Sequence, residues 1–306
     1  MAKQNHSVFH QRGTWIAPAT GQSIPFSALM EKMAEKSVVM LGETHDIAEI
    51  HRWQLHTAAF LYARRPNMMM GFEMFPRRIQ PVLDEWVAGR LATADFLEKS
   101  EWKTVWGFPP ELYLPLFHFC RQNGVRMLAL NCYRELVTRV GKEGWDAVPV
   151  EERDGLTPSA PPLPSYVRHL LAMTGGNAGG RENIPVDGGR FMRAMQTWDR
   201  AFACNIAHAL KETDPANPPL IIGIIGRGHL EYRFGTPYQL ADLGITDTAV
   251  LLPSQSENWQ LRPDIPGEDG APDQSFADAV FRLDLPEPVP ERRMPKRRQE
   301  NKDSNA

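Results

Sequence analysis

The chain lacks the features that mark membrane-spanning, disulfide-stapled or nucleic-acid-binding proteins. No apolar run approaches the roughly 20 residues that a membrane helix needs, and a net charge of -3 gives no overall attraction to nucleic acid or to an anionic membrane. The three cysteines, Cys120, Cys132 and Cys204, are odd in number and widely spaced, and each lies in an apolar stretch. This pattern favours buried thiols in a reducing compartment over a disulfide or a zinc site.

The N-terminus, as written, also lacks an export signal. Residues 1–18 contain no uninterrupted apolar segment like the core of a secretory signal, and no lipobox cysteine stands there. The sequence therefore predicts a cytoplasmic protein, or a periplasmic or membrane-anchored one if an export segment is missing from this chain.

What the sequence does contain is an alternation of short apolar runs with amphipathic stretches. Buried strands are predicted at 38–41, 67–75, 125–130, 220–225 and 249–252. Helices are predicted at 46–62, with Asp46 as N-cap, and at 79–87, 93–100, 111–122, 135–147, 165–173, 191–212 and 237–243. Strands that alternate with helices predict an α/β fold with a mostly parallel sheet flanked by helices.

This pattern indicates one domain over residues 31–262, after an N-terminal extension at 1–30. Proline- and glycine-rich segments interrupt it at 149–190, which we interpret as an irregular insertion or lid. From residue 263 to 306 the chain is rich in proline and charge, so we expect at most an edge strand at 279–285 and then a disordered tail. A basic cluster in that tail could contact an acidic partner, although a solvated tail without function is the more common case.

Polar side chains follow four of the predicted strands where those strands end. Ligands of open α/β sheets bind outside the carboxyl ends of the strands, and we call this edge the rim. Its candidate residues are Glu43, His45, Glu73, Asn131 and His229. Two glutamates and two histidines suit either a divalent metal such as Mn, Co or Zn, or the acid and base of a hydrolase.

Several of these residues also have ordinary explanations. Glu43 can cap the next helix, and His45 can be a polar loop residue. Glu73 is harder to explain, because a carboxylate in an apolar strand needs a partner, a metal or a proton. Arg227 can satisfy a neighbouring polar group, and Asp199 can either orient a rim histidine or remain a solvated helix carboxylate.

Four motifs occur in an order that resembles a known family. They are residues 42–46 (GETHD), 71–75 (GFEMF), 196–199 (QTWD) and 226–229 (GRGH). In this order they are similar to the ChaN family of haem-binding iron-uptake proteins, within the Tiki/TraB/erythromycin-esterase-like superfamily. The resemblance runs from about residue 38 to residue 253, and it implies an α/β core whose rim carries the first and last of these motifs.

The resemblance implies haem as the ligand, held by a tyrosine with a histidine nearby, and haems stacked across a homodimer. Tyr232 is the first choice for this tyrosine and Tyr166 the second, with His229 and His45 as further haem contacts; an ordinary half-buried phenol is the alternative for either tyrosine. A haem pocket needs aromatic and basic side chains. The candidates for it are Phe72, Phe75, Arg77, Arg78, Trp106 and Phe108.

Enzymes of the same superfamily imply an alternative function. In those enzymes, metal-dependent peptide cleavage or metal-free ester hydrolysis uses the positions that correspond here to Glu43, His45, Glu73 and His229. The alternative to a haem-binding protein is therefore a hydrolase that uses a divalent metal, or a histidine as general base.

Overall fold

The computed structural model describes residues 7–173, 189–267 and 274–283. The strands are β1 (Ser7–Phe9), β2 (Trp15–Ile16), β3 (Ser23–Ile24), β4 (Val38–Glu43), β5 (Met68–Pro76), β6 (Arg126–Asn131), β7 (Leu220–Gly226), β8 (Thr248–Ser254), β9 (Asn258–Gln260) and β10 (Ala279–Arg282). The helices are α1 (Phe26–Ala34), α2 (Ala48–Arg64), α3 (Gln80–Val87), α4 (Thr93–Lys99), α5 (Trp102–Val105), α6 (Leu114–Asn123), α7 (Arg134–Glu143), α8 (Pro164–Met173), α9 (Gly189–Lys211) and α10 (Thr236–Asp242).

Within these residues the main sheet has eight strands in the order β3-β2-β10-β8-β4-β7-β5-β6. The six strands from β10 to β6 are parallel, and β2 and β3 extend the sheet in antiparallel orientation. Strands β1 and β9 pair separately. This topology confirms the predicted α/β fold with a mostly parallel sheet.

The central strands read as continuous apolar runs because helices cover both faces of the sheet. Successive side chains of a strand point to opposite faces, so β4 contributes to two cores. Val39 and Leu41 pack in one core, and Val38 and Met40 pack in the other. No helix among the described residues is long and apolar enough to cross a membrane.

The segments at the two ends of the described chain have a different place in the sheet from the one that the sequence predicts. β10 lies between β2 and β8, so it is an interior strand rather than the predicted edge strand. Because β2 and β3 come from the N-terminal extension and β10 lies beyond residue 263, both segments belong to the main sheet and not to the outside of the domain. Hydrogen bonds from β2 satisfy the edge of β10 that faces away from β8.

Two further expectations meet the structure only in part. Helix α2 begins at Ala48, and its N-cap is Ile47 without a side-chain hydrogen bond, so Asp46 does not cap it. The expected helix in the insertion is present as α8. Of the proposed lid at 149–190, residues 174–188 lie outside the described residues, and so does the predicted disordered tail after residue 285.

Candidate functional site

Three adjacent strands of the sheet bring the main rim residues together. Strand β7 lies between β4 and β5, and Glu43 is paired in register with Gly226. The Gly226 N–H donates a hydrogen bond to the Glu73 carboxylate. Glu73, the one carboxylate in an apolar stretch of β5, therefore has a backbone hydrogen-bond partner on the neighbouring strand β7.

The approach of these strand ends depends on the missing side chain of Gly226. A Cβ atom placed there would lie 3.1 Å from Cε1 of His45 and 3.2 Å from Oε2 of Glu73. Both distances are tighter than ordinary van der Waals contact, so glycine allows His45 and Glu73 to face each other across the turn that follows β7.

The buried carboxylate of Glu43 holds His45. Nδ1 of His45 lies 2.7 Å from Oε1 of Glu43. The Tyr113 hydroxyl donates to the same oxygen at 2.7 Å, and Nε2 of Gln54 donates to Oε2 at 3.2 Å. Burial acts to raise the pKa of Glu43, but the His45 hydrogen bond and the electrostatic interactions with His51 and His45 lower it overall. This carboxylate is therefore ionised at neutral pH.

The imidazole of His45 is the most open of the rim histidines. Its side chain is 32% exposed, and its ring lies 4.7 Å from the Trp106 ring and 5.4 Å from the Phe108 ring, measured between centroids. Burial acts to lower the pKa of His45, but the hydrogen bond to Glu43 and the charges of Glu73, Glu43 and Asp46 raise it to about 9. Because Glu43 engages Nδ1, Nε2 is the nitrogen that can meet a ligand.

A second carboxylate holds His229. Nδ1 of His229 lies 2.9 Å from Oδ1 of Asp199. Thr236 donates to the same oxygen at 3.1 Å, and the Tyr166 hydroxyl donates to Oδ2 at 2.8 Å. Burial acts to lower the pKa of His229, but the charge and hydrogen bond of Asp199, with a further contribution from Glu73, raise it.

Glu73 connects the two histidine pairs. Its Oε1 lies 3.9 Å from Nε2 of His229, and its negative charge raises the pKa of His45 as well. Each imidazole is thus fixed through Nδ1 by its own carboxylate, an arrangement that serves general acid–base chemistry and that also orients histidine ligands of iron. The geometry allows proton transfer, and Nε2 of His45 can coordinate a metal carried by a ligand once it has lost its proton.

The same contacts do not favour a metal ion held by protein alone. Among the described residues, no group of three or more His, Cys, Asp or Glu side chains is arranged to hold one. Both oxygens of Glu43 already accept hydrogen bonds from other side chains. The metal set expected from the sequence, Glu43, His45, Glu73 and His229, therefore has no support in this geometry.

The remaining sequence candidates occupy distinct positions. Tyr166 is 1% exposed, and burial, followed by the charge and hydrogen bond of Asp199, raises its pKa well above the ordinary value. The Tyr232 ring packs against His169, Phe234 and Phe276, and its backbone is left-handed, with a φ of 56°.

Asn131 and Arg227 support the rim from its edges. The Asn131 side chain donates to the Glu73 carbonyl at 2.8 Å and accepts the Cys132 N–H at 2.9 Å, so it fixes the ends of β5 and β6. The Arg227 guanidinium donates to the carboxylate of Glu231.

The aromatic and basic candidates for a haem pocket divide into two groups. Trp106 and Phe108 lie beside His45 as a pocket requires. Phe72 and Phe75 are fully buried in the core and cannot line an accessible pocket. Arg78 forms a two-pronged ion pair with Glu101, and Arg77 faces a separate cavity.

Sequence reasoning missed three residues that hold Glu43. His51, buried on α2, has its Nδ1 3.5 Å from Oε2 of Glu43 and 3.1 Å from Oε1 of Gln54. The spacing of His51 and Gln54, three residues apart on α2, was the available signal. Tyr113 comes from the start of α6, and nothing in the sequence links it to Glu43.

The fold and the rim together define an α/β protein with paired histidines and carboxylates at the carboxyl ends of its strands. Residues 29–240 match the family model described as "Haem-binding uptake, Tiki superfamily, ChaN". The match covers more than half of the chain, so the chain belongs to this family.

Solved structures include one with the same fold and others with a weaker likeness. The structure titled "Cofacial heme binding to ChaN of Campylobacter jejuni" is 17% identical in sequence, with a TM-score of 0.65 over 87% of this chain and 95% of that chain. A mutant of the erythromycin esterase EreC, in its open conformation, is 13% identical, with a TM-score of 0.47 over 88% and 97%. The type III effector HopBA1 is 11% identical, with a TM-score of 0.43 over 83% and 91%. None of the curated proteins matches the chain.

Proposed function

We propose that this protein binds haem at the rim, as part of haem or iron uptake, with Nε2 of His45 as the donor to the iron. Membership of a haem-binding uptake family supports the ligand. The observation that carries the location is the partly exposed His45 imidazole, which Glu43 fixes through Nδ1. A histidine held through one nitrogen presents the other in a defined direction. Because the pKa of His45 is about 9, Nε2 would hold the iron after releasing its proton to solvent.

The surrounding side chains fit a flat apolar ligand that carries anionic groups. Trp106 and Phe108 present aromatic surface beside His45. Arg227, which directly follows β7, is 37% exposed and is paired with Glu231. Tyr113 keeps Glu43, and therefore the His45 ring, in one orientation. Haem supplies the iron that an uptake protein carries, and these residues bind and orient it.

A tyrosine ligand would require a different arrangement. The residues Tyr166, Tyr232 and His229 are 1%, 8% and 7% exposed, and the Tyr166 hydroxyl donates a hydrogen bond to Asp199. The His45 side chain, by contrast, is 32% exposed, so it is the most accessible of these candidate ligands.

Hemin titration of the purified protein tests the proposal through the visible spectrum. We expect saturable binding that is lost in His45→Ala and kept in His56→Ala, a matched change at an exposed histidine of α2. Tyr232→Phe and Tyr166→Phe should leave the spectrum unchanged. A charge-transfer band of tyrosinate-bound ferric haem that disappears in either tyrosine variant would instead move the ligand to that tyrosine. Absence of saturable binding would reject the proposal.

A second candidate function is hydrolysis with a histidine as general base. The observation that favours it is the buried pair of His229 and Asp199, with Glu73 near Nε2 of His229. An imidazole held by a carboxylate can take a proton from water or from a nucleophile. An ester such as p-nitrophenyl acetate is the probe.

Hydrolysis of this ester by the haem-free protein should fall by about 100-fold in His229→Ala, which is the scale of one general base. It should stay unchanged in His118→Ala, a histidine that packs against Trp86 away from the rim. Equal rates in the wild type and in His229→Ala would remove this candidate.

A further inference from the structure

A second cavity lies along the outer edge of β6, apart from the rim histidines. It has a volume of about 200 Å³ and opens between the start of α3 and the last turns of α9. Its walls carry the side chains of Arg77, Arg126, His208 and Glu212. The share of liquid volume per water is about 30 Å³, so the cavity has room for a small ligand or for several waters.

The two guanidinium groups on these walls are weakly paired within the described residues. Arg77 makes two long hydrogen bonds, 3.4 Å to the Asp154 carbonyl and 3.4 Å to Nε2 of His208. Its charge also offsets part of the rise that burial causes in the pKa of the Asp154 carboxyl. The carboxylates nearest to Arg126 belong to Glu212, at 3.7 Å, and Asp84, at 3.9 Å, both beyond hydrogen-bond distance. Each guanidinium has five N–H donors in a fork that matches an oxyanion, so much donor capacity is left over.

Gln80, on the floor of the cavity, does not occupy the N–H donors of the two guanidinium groups. The Gln80 side chain donates to the Met127 carbonyl at 2.8 Å and accepts the Ala129 N–H at 2.9 Å. It thereby occupies the outward-facing backbone groups of the edge strand, as a neighbouring strand would. An added peptide strand finds no free partner at these positions, so the guanidinium groups of Arg77 and Arg126 are the main donors that the cavity offers to a ligand.

We propose that this cavity binds a compact oxyanion, a phosphate or carboxylate group, between the guanidinium groups of Arg77 and Arg126, with His208 as a third donor. Glu212 opposes the anion, because its carboxylate lies 3.1 Å from Nε2 of His208 and 3.7 Å from Arg126. Anion binding replaces these contacts with charge-assisted hydrogen bonds to the ligand.

Calorimetric titration of the full chain with inorganic phosphate, at constant ionic strength, tests the site. We expect one saturable site whose affinity falls about tenfold in Arg77→Gln and in Arg126→Gln, since each removes charge-assisted hydrogen bonds. Arg52→Gln, at an exposed arginine paired with Glu49 on α2, should leave the affinity unchanged.

Glu212→Gln provides a test in the opposite direction, which misfolding cannot imitate. It removes the competing negative charge, so phosphate should bind several-fold more tightly. Parallel titration with succinate distinguishes a phosphate ligand from a carboxylate ligand. Binding of phosphate alone assigns a phosphate group, and binding of succinate alone assigns a carboxylate. Binding of both indicates a general oxyanion site. Absence of saturable binding for both probes, or an affinity that Glu212→Gln fails to increase, would overturn the proposal.

Discussion

Single residues at the rim act in pairs, in which a buried carboxylate fixes the orientation and the charge of an imidazole. Glu43 holds His45, and Asp199 holds His229. The hydroxyl groups of Tyr113 and Tyr166 donate in turn to these carboxylates. Burying a carboxylate is costly unless its lone pairs are satisfied, so the tyrosines and the histidines stabilise the same two charges.

Removal of the Tyr113 hydroxyl should weaken the protein measurably. A hydrogen bond to a charged group contributes about 1.5–3 kcal/mol, and Tyr113→Phe leaves the buried Glu43 with one donor fewer. We expect the free energy of unfolding to fall by about 2 kcal/mol in urea denaturation. Tyr62→Phe is the control, because the Tyr62 hydroxyl makes only an exposed contact of 3.5 Å. Equal losses in both variants would contradict this account.

The pairing of His45 should make stability depend on pH in the alkaline range. The pKa of His45 is about 9 in the folded protein and about 6.5 in the unfolded chain. The stabilisation is therefore fully present below about pH 6.5 and is lost as the pH rises through 9. Urea denaturation of the haem-free protein between pH 6 and pH 10 should show a decline that is smaller in His45→Gln. A decline of the same size in that variant would assign it to other groups.

At the scale of secondary-structure elements, the site depends on how closely α9 and the turn before α10 approach each other. A Cβ atom at Gly235 would lie 2.5 Å from Oδ1 of Asp199, 2.5 Å from the His229 carbonyl and 2.8 Å from the Tyr166 hydroxyl. No side chain fits there without displacing backbone. Gly228, two residues after the end of β7, has no atom within 4 Å of such a Cβ.

These two glycines should therefore respond differently to the same substitution. Gly235→Ala should lower the free energy of unfolding by about 3 kcal/mol, the upper range for overpacking, and should change the NMR resonances of the His229 ring. Gly228→Ala should leave both unchanged. Tolerance of alanine at Gly235 would show that α9 and α10 can separate without loss of stability.

The elements themselves were largely predictable from the sequence. The strands and helices between residues 38 and 254 lie close to their predicted bounds, because apolar periodicity reports directly which face is buried. The short strands β1–β3 and β9 and the helices α1 and α5 were missed. Two or three residues carry too little periodicity to be recognised, and β2 is defined by its partner β10, which is more than 260 residues away in sequence.

At the scale of the whole molecule, segments from opposite ends of the described chain pair in the main sheet. β10 joins β2 to β8, and Ala279 and Val280 are fully buried. Phe276, just before β10, packs against Tyr232 at 5.1 Å between ring centroids. The segment 274–283 therefore connects the N-terminal strands with the turn that follows His229.

Two truncated chains should distinguish the contribution of residues 274–283 to stability from that of the residues that follow. A chain that ends at residue 273 loses the buried side chains of Phe276 and Val280, each worth about 1.5–3 kcal/mol, and exposes an edge of β8. We expect a loss of about 5 kcal/mol, a large part of the roughly 5–15 kcal/mol of a typical domain. A chain that ends at residue 283 should unfold at the same urea concentration as the full chain. Equal midpoints for the two truncations would refute a structural role for β10.

The sequence by itself determined the fold class, the bounds of the main elements and the residues at the carboxyl ends of the parallel strands. These follow from local periodicity and from the rule that parallel strands present their ends at one edge. Only the tertiary structure decided which carboxylate holds which histidine, and that Tyr113 and His51 take part. Those contacts join residues up to 70 positions apart, and local periodicity carries no information about pairs so distant in the chain.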